Sequence, residues 1–262
     1  MRGRGAAVVV VRGLLALAAL VVAAPLVWML LVSLGLPGDP TLAHYRALFE
    51  RLGVARALVN SAALALTVTA VSLVLNSLAG YAFAKLEFRG REPLFRALLA
   101  GLVIPGQVGM LPLFLGLKEL GLVNTYLGVM VPSLASVFGI FLVRQYAQGI
   151  PQSLLDAARI DGASELTIYR TLVLRLCRPV LVTLALFTFL GSWNDFLWPL
   201  VVLSDEDRYT LPVALAALLG EHAQDTELMM AGAVLTVAPV LVLFLCLQRY
   251  YIESVAAGAL KE

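Results

Sequence analysis

Long stretches without any charged side chain alternate with short polar connections along this chain. A helix needs about 20 mostly apolar residues to cross the hydrocarbon core of a bilayer. Five stretches without Asp, Glu, Lys or Arg reach that length, namely 13–38, 57–84, 97–117, 120–143 and 228–248. A sixth stretch, 179–204, is interrupted only by Asp195. The pattern predicts an all-α membrane protein with six transmembrane helices.

Two features of the predicted spans affect how they are interpreted. Prolines interrupt several of them, and each removes a backbone donor and favours a kink; they are Pro25, Pro105, Pro112, Pro199 and Pro239. The N-terminus resembles a secretory signal, with basic residues before an apolar core. The first apolar run continues to residue 38, past any cleavage site near Ala23 and Ala24, so we expect an uncleaved first helix. With no internal repeat, residues 1–262 are expected to form a single membrane domain.

Composition agrees with this class of protein. The chain is 61% hydrophobic, whereas soluble domains have roughly 45–50% apolar residues, so membrane lipid is an expected partner. The net charge of +2 and the lack of a long basic run argue against a nucleic-acid partner. Two cysteines, Cys177 and Cys246, are too few for a disulfide framework, and we interpret both as packing residues.

The distribution of basic residues predicts the orientation, because Lys and Arg are in excess on the cytoplasmic side. The N-terminal segment, the second and fourth loops and the C-terminal tail together carry 14 of them, against 5 in the first, third and fifth loops. Both termini are therefore predicted to be cytoplasmic. The fourth loop, which follows residue 143, is on the same side.

That fourth loop contains a polar segment with the pattern of two helices around a turn. Pro151 suits a helix start, and Gly162 can take the left-handed conformation that closes a helix. Ser164 can then cap a second helix, whose first turn carries Glu165 against the positive end of the helix dipole. We predict a cytoplasmic helix-turn-helix segment between spans 4 and 5.

A DNA-binding role and a solvated loop are the alternatives to protein docking for this segment. A DNA-binding helix-turn-helix also has a glycine turn, but this one is fixed between two spans, and its second helix begins with an acid that phosphates repel. A solvated loop has no need for small residues on a short helix. Ala157, Ala158 and Gly162 permit close approach by another protein, which favours docking.

The same residues carry a resemblance to a known family. Asp156-Ala157-Ala158, three further residues and Gly162 resemble the Glu-Ala-Ala-x3-Gly motif of permease subunits in binding-protein-dependent ABC importers. The flanking "IPQSLLDAARIDGAS" and the later "LFTFLGSWNDFLWPLVVL" resemble the carbohydrate-importing branch, of the maltose-transporter second-permease type. The resemblance runs from about Asn60 to the C-terminus. Asp156 replaces the usual Glu, and Arg175 stands where the family commonly has Pro, which leaves the exit of the second helix open.

The resemblance implies a function that the chain performs only with partners. It implies a bacterial or archaeal cytoplasmic membrane, a homologous partner permease, two ATPase subunits and an extracytoplasmic solute-binding protein. The ATPase-coupling residues are then Asp156, Ala157, Ala158, Asp161 and Gly162. The sequence itself contains no phosphate-binding G-x-x-x-x-G-K-[ST] loop. We therefore expect no enzyme activity and no cofactor on this chain, with ATP and Mg bound by the partner ATPase.

A second candidate site lies where a carboxylate interrupts a span, in "GSWNDFLW". Ionisable residues inside membrane helices commonly face protein or water and serve a function. Ser192, Asn194 and Asp195 offer groups suited to sugar hydroxyls, and Trp193 offers a flat apolar face. These four residues are predicted to form a substrate cavity or gate. The alternatives are that the tryptophans anchor the interface and that Asp195 only bonds a neighbouring helix.

The solute is predicted to be a sugar, and a polyol or a glycerol phosphodiester is the alternative. An intramembrane enzyme is a remote alternative, because no H-E-x-x-H motif is present. The two histidines, His44 and His222, fall in predicted external loops, and nothing in the sequence brings them together. We therefore expect no catalytic residue and no metal site.

Overall fold

The computed structural model describes most of the chain. Its backbone is described for residues 2–36, 38–51, 53–221 and 225–259, and its side chains for 10–36, 38–50, 53–218 and 225–246. Every regular element within these ranges is helical, which confirms the predicted all-α membrane class.

The helices follow one another with short connections. In chain order they are α1 Arg2–Ser33, α2 Ala43–Arg51, α3 Val54–Lys85, α4 Arg91–Ala100, α5 Met110–Glu119, α6 Tyr126–Met130, α7 Val137–Gln148, α8 Gln152–Ile160, α9 Glu165–Leu176, α10 Arg178–Trp193, α11 Leu197–Val202, α12 Leu211–Glu221 and α13 Thr226–Ala259. Single 3₁₀ turns lie at Gly101–Val103, Gly106–Gly109, Val131–Ser133 and Glu206–Arg208.

Three unbroken helices are long and apolar enough to cross a membrane. These are Val10–Ser33, Val54–Lys85 and Thr226–Cys246. They correspond to the first, second and sixth predicted spans. Their boundaries differ from the predicted ones by a few residues, as expected when charged residues alone define the ends.

The third and fourth predicted spans are bent pairs of helices, and the start of the fifth belongs to a third bent pair. The pairs are Arg91–Val103 with Gly106–Glu119 at 97°, Tyr126–Ser133 with Val137–Gln148 at 40°, and Glu165–Leu176 with Arg178–Trp193 at 80°. By length and composition, counting each pair as one span gives six, the number predicted. The sharpest bend lies at Pro105, because a proline disfavours helical backbone in the residue before it. Ile104 is accordingly extended, with φ −85° and ψ 118°.

The fifth span is not the continuous stretch 179–204 that the sequence predicted. Helix α10 ends at Trp193, and the short helix α11 begins at Leu197. Asp195 lies in the break, where its Oδ1 accepts a bond from the Trp198 amide at 3.4 Å. A carboxylate that binds backbone amides at a helix start competes with helix continuation, which explains the interruption.

The chain divides into two compact units. One comprises residues 1–55 with 215–239, and the other comprises 56–214 with 240–262. In the first unit, the hydroxyls of Ser33 and Tyr45 lie 2.7 Å apart. The second unit contains both candidate sites and several apolar clusters. That the whole chain acts as one membrane domain stays a prediction.

One apolar cluster of the second unit supports the polar segment and is called the base cluster here. It lies at the end of α3 and beneath α8 and α9. Its buried members are Tyr81, Ala147, Ile150, Leu155, Ile168, Tyr169, Val173, Cys177 and Val180. Cys177 is thus a packing residue, as predicted.

Candidate functional site

The segment from Pro151 to Leu176 has the predicted helix, glycine turn and helix. Helix α8 ends in a Schellman motif, in which the Ala163 amide donates to the Ala158 carbonyl at 2.9 Å and the Gly162 amide donates to the Arg159 carbonyl at 3.0 Å. Gly162 has φ +82°, as this motif requires. Ser164 then caps α9 by accepting from the Thr167 amide at 3.3 Å. The local signals in the sequence therefore determined this part of the fold.

Helix α8 is anchored by one face and uncovered on the other. Leu155 is fully buried in the base cluster, and Ala158 packs against it. On the opposite side Ile160 is 85% exposed and Leu154 is 40% exposed, with Ala157 exposed between them. Within the described part of the chain, this apolar face has no covering element. Such a face on a fixed helix is suited to docking another protein.

Three charged residues connect α8 to α9. The Arg159 guanidinium donates from Nη1 to Asp156 Oδ1 and from Nε to Glu165 Oε1, each at 2.7 Å. Hydrogen bonds from Glu165 and then Asp156 raise the pKa of Arg159. The bond from Arg159, followed by one from Tyr81, lowers the pKa of the Glu165 carboxyl. Glu165 is thus charged at neutral pH, and Asp156 already pairs with a cation of its own chain.

The segment is also bonded to the end of α3. The Tyr81 hydroxyl donates to Glu165 Oε2 at 2.6 Å, and the Ser77 and Tyr169 hydroxyls are 2.7 Å apart. Lys85 Nζ donates to the Ile150 carbonyl at 2.6 Å. These contacts attach the polar segment to a transmembrane helix.

The sequence did not indicate that these α3 residues bond the polar segment. Ser77, Tyr81 and Lys85 recur at intervals of four, which places them on one face of the last two turns of α3. That spacing was the available signal. It named no partner, because Glu165 lies 84 residues further along the chain.

The four residues predicted as a substrate cavity or gate do not share one site. Trp193 is 2% exposed, and its ring stacks on Phe189 with centroids 5.7 Å apart. Asn194 Nδ2 donates to the Leu190 carbonyl at 2.9 Å, and Asp195 bonds the start of α11. Ser192 lines a cavity between α3, the break before α7, and α10.

Among the described residues, no group of three or more His, Cys, Asp or Glu side chains is arranged to hold a metal ion. His222 lies outside the described residues. Cys177 is buried and Cys246 is exposed in this chain, and both are free thiols.

The geometry can be compared with known proteins. The family model for the inner membrane component of binding-protein-dependent transport systems matches residues 76–256. That range includes the whole polar segment and α10. This chain belongs to that family, and the sequence motif around Asp156 is therefore part of a permease.

Individual relatives agree with this assignment. The arabinooligosaccharides transport system permease protein AraQ of Halalkalibacterium halodurans is 42% identical over 77% of this chain and 72% of its own length. The lactose transport system permease protein LacG of Rhizobium radiobacter is 32% identical over 79% of this chain and 76% of its own. The crystal structure of a bacterial ABC transporter involved in the import of the acidic polysaccharide alginate matches with a TM-score of 0.81 at 25% identity, over 96% of this chain and 98% of that one. The resemblance to carbohydrate-importer permeases is confirmed.

Proposed function

We propose that this chain is a permease subunit that imports a sugar with a homologous partner permease, an extracytoplasmic solute-binding protein and two separate ATPase subunits. The observation that carries the proposal is α8, a motif-bearing helix fixed by Leu155 on one face and apolar and uncovered on the other. The family description, a component of binding-protein-dependent transport systems, supports the binding protein as a partner.

The uncovered face of α8 is where the ATPase docks in this proposal. Asp156 is paired with Arg159 at 2.7 Å, so it acts by fixing α8 rather than by offering a free charge. Leu154, Ala157 and Ile160 then supply the contact surface, and the tight turn at Gly162 leaves room for the partner. ATP and Mg belong to that partner.

The segment faces the cytoplasm in this proposal, with both termini on the same side. The support is the distribution of Lys and Arg: 14 lie in the termini, the second loop and the fourth loop, and 5 lie in the first, third and fifth loops. The test is thiol labelling of single cysteines at Gly53, Ser164 and Asp225 in intact cells. We expect Gly53 and Asp225 to label from outside and Ser164 only after permeabilisation, and labelling of Ser164 from outside would overturn this orientation.

The sugar specificity is supported by the relatives. AraQ is a permease for arabinooligosaccharides and LacG is one for lactose, and both solutes are neutral sugars. A polyol or a glycerol phosphodiester remains the alternative. Ser192 lies on the solute's route in this proposal, and Trp193, Asn194 and Asp195 shape the outer end of that route as a gate.

The experiment is to purify the tagged chain in mild detergent and identify its partners and their solute by mass spectrometry. We expect a second permease, an ATPase with a P-loop, and a binding protein that releases a sugar on denaturation. Ile160→Asp should reduce the ATPase recovered, whereas Leu166→Asp, at a leucine of α9 that is 50% exposed, should not. Recovery of the chain without any ATPase, from cells that import sugar normally, would contradict the proposal.

A further inference from the structure

A cavity of about 370 Å³ opens inside the second unit, between three transmembrane elements. Its walls are α3, residues 132–136 around the break in the fourth span, and the C-terminal half of α10. The volume falls in the range of roughly 300–1,000 Å³ that is usual for small-molecule sites. We call this space the hydroxyl cavity.

Five hydroxyl groups line it. They belong to Ser72, Ser133, Ser136, Thr188 and Ser192. Two of them already accept internal bonds: Ser72 from Asn76 Nδ2 at 2.6 Å and Ser136 from the Gly139 amide at 2.9 Å. Among the described residues, no hydrogen bond engages the hydroxyls of Ser133, Thr188 or Ser192. Each hydroxyl can donate one bond and accept others, so three are available to a ligand.

Aromatic surface lies beside these hydroxyls. The rings of Phe138 and Phe187 meet edge to face, with centroids 6.4 Å apart, and both are about half exposed. Flat apolar rings next to hydroxyls match the two kinds of surface of a sugar, which has apolar C–H faces and a polar rim.

Among the residues that the structure describes, no charged side chain lines the cavity. An anionic solute needs a cation or free backbone amides, since an uncompensated charge in a low-dielectric site is costly. In the first turn of α7, the Ser136 hydroxyl already occupies the Gly139 amide. The cavity therefore selects a neutral ligand over a carboxylate or a phosphodiester.

Asn76 holds the cavity in shape. It is fully buried; its Nδ2 donates to Ser72, and its Oδ1 accepts from the Ser136 amide at 3.0 Å. A Cβ on Gly139 would lie 2.7 Å from Asn76 Nδ2, so α3 and α7 are in close contact here. A polar bridge of this kind fixes the broken fourth span against α3 before any ligand arrives.

The position of the break argues against exposure to lipid. Non-helical backbone at membrane depth is tolerated only where it is buried in protein or lines a water-filled cavity. Residues 134–136 are such a break, since the helices on either side, Tyr126–Ser133 and Val137–Gln148, are bent by 40°. The hydroxyl cavity thus lies beside a break that is buried in protein or faces water rather than lipid.

We infer that the hydroxyl cavity is a binding site for one neutral sugar unit of the transported solute, with Thr188, Ser192 and Ser133 bonding its hydroxyls and Phe138 and Phe187 contacting its C–H face. The inference rests on the proposed function, because it assumes that this chain imports a sugar. It adds that this subunit itself contacts the solute and that charge is excluded.

The test uses the intact complex in proteoliposomes with saturating binding protein. The probes are radiolabelled arabinotriose and lactose, both neutral. Thr188→Val keeps the side-chain shape and removes one hydroxyl, and Ser192→Ala does the same with a small loss of volume. Each should reduce uptake by about fivefold, the usual effect of one lost hydrogen bond. The amount of assembled complex should stay at the wild-type level.

Thr183→Val is the matched control on α10, because its hydroxyl donates to the Pro179 carbonyl and does not line the cavity. If the wild-type complex imports neither probe, the proposed neutral-sugar import is wrong. If it imports a probe and the two cavity variants behave like Thr183→Val, only the present inference is wrong. Loss of the partner permease from either variant would also overturn it, by indicating that a partner helix fills the cavity.

Discussion

The polar segment at α8 and α9 and the hydroxyl cavity are opposite in design. In the segment the charged groups Asp156, Arg159 and Glu165 satisfy one another, and the surface left uncovered is apolar. In the cavity the walls are packed, and the groups left without partners are hydroxyls. The uncovered apolar face of the segment is thus suited to a protein, and the free hydroxyls of the cavity are suited to a small polar molecule.

Both regions contact the same helix. Tyr81 and Ser77 bond the polar segment, and Ser72, nearer the start of α3, lines the cavity. The nine-residue separation of Ser72 and Tyr81 corresponds to two and a half turns, or about 13.5 Å of helix. A displacement of α8 therefore has a short and continuous route to the cavity wall.

The largest expected effect is the loss of ATPase binding on substitution of Gly162, and a control glycine separates this loss from backbone strain. Gly162→Val should lower the ATPase recovered with the chain by roughly tenfold, since a left-handed residue with a Cβ costs about 1–2 kcal/mol and the added bulk meets the docked partner. Gly90→Val is the control, because Gly90 also has positive φ, +86°, and its Cβ would likewise meet open space. Equal losses for the two variants in a co-purification assay would remove the specific role of the α8 turn.

The next largest effect is a loss of stability from overpacking the contact between α3 and α7. A Cβ on Gly80 would lie 2.7 Å from the Val143 Cβ, so Gly80→Val overpacks the contact between α3 and α7. We expect a loss of about 1–3 kcal/mol of stability, measured as a lower melting temperature of the detergent-purified complex. Gly116→Val, at a helical glycine with open space around it, should leave that temperature nearly unchanged.

The bond between α3 and the polar segment is predicted to affect coupling more than assembly. Tyr81→Phe removes the 2.6 Å bond to Glu165, and bonds to charged groups contribute about 1.5–3 kcal/mol. We expect fewer sugar molecules transported per ATP hydrolysed, at an unchanged amount of complex. Because the pKa of Glu165 is lowered in the folded state, its contribution is present at neutral pH and is lost as the pH falls through that pKa. A transport ratio equal to wild type would show that Tyr81 only packs.

The smallest effect concerns the break after α10. Asp195→Ala removes one 3.4 Å bond at the start of α11, and loss of such a cap typically costs about 1 kcal/mol. As a gate residue, Asp195 should change the half-saturation for binding protein, measured as ATPase stimulation and uptake. Wild-type uptake with an unchanged half-saturation would leave Asp195 as a purely structural residue.

Local chemistry made the polar segment predictable from sequence. Gly162, with its required positive φ, and the cap at Ser164 act within a few residues of themselves, so both helix ends were predicted correctly. The motif at Asp156 also identified the family. Arg175 proved compatible with helix, since α9 continues to Leu176 before the 80° bend into α10.

Long-range contacts explain what the sequence did not predict. The break at residues 134–136 is held by Asn76, some 60 residues away, and hydropathy alone does not distinguish it from a straight span. The substrate residues were predicted as a contiguous run from Ser192 to Asp195, whereas the cavity takes one residue of that run and combines it with distant ones such as Ser72 and Ser133. Periodicity describes faces of helices, and it does not say which faces meet.

Cross-linking from Ile160 shows whether the uncovered face of α8 docks the ATPase. A photoreactive benzoylphenylalanine placed at Ile160, which is 85% exposed, is irradiated in the intact complex, with the same group at Leu166 of α9 as the comparison. We expect an adduct between position 160 and a P-loop ATPase, in much higher yield than from position 166. Adducts from position 160 that contain only lipid, or no adduct in a complex that hydrolyses ATP, would contradict it.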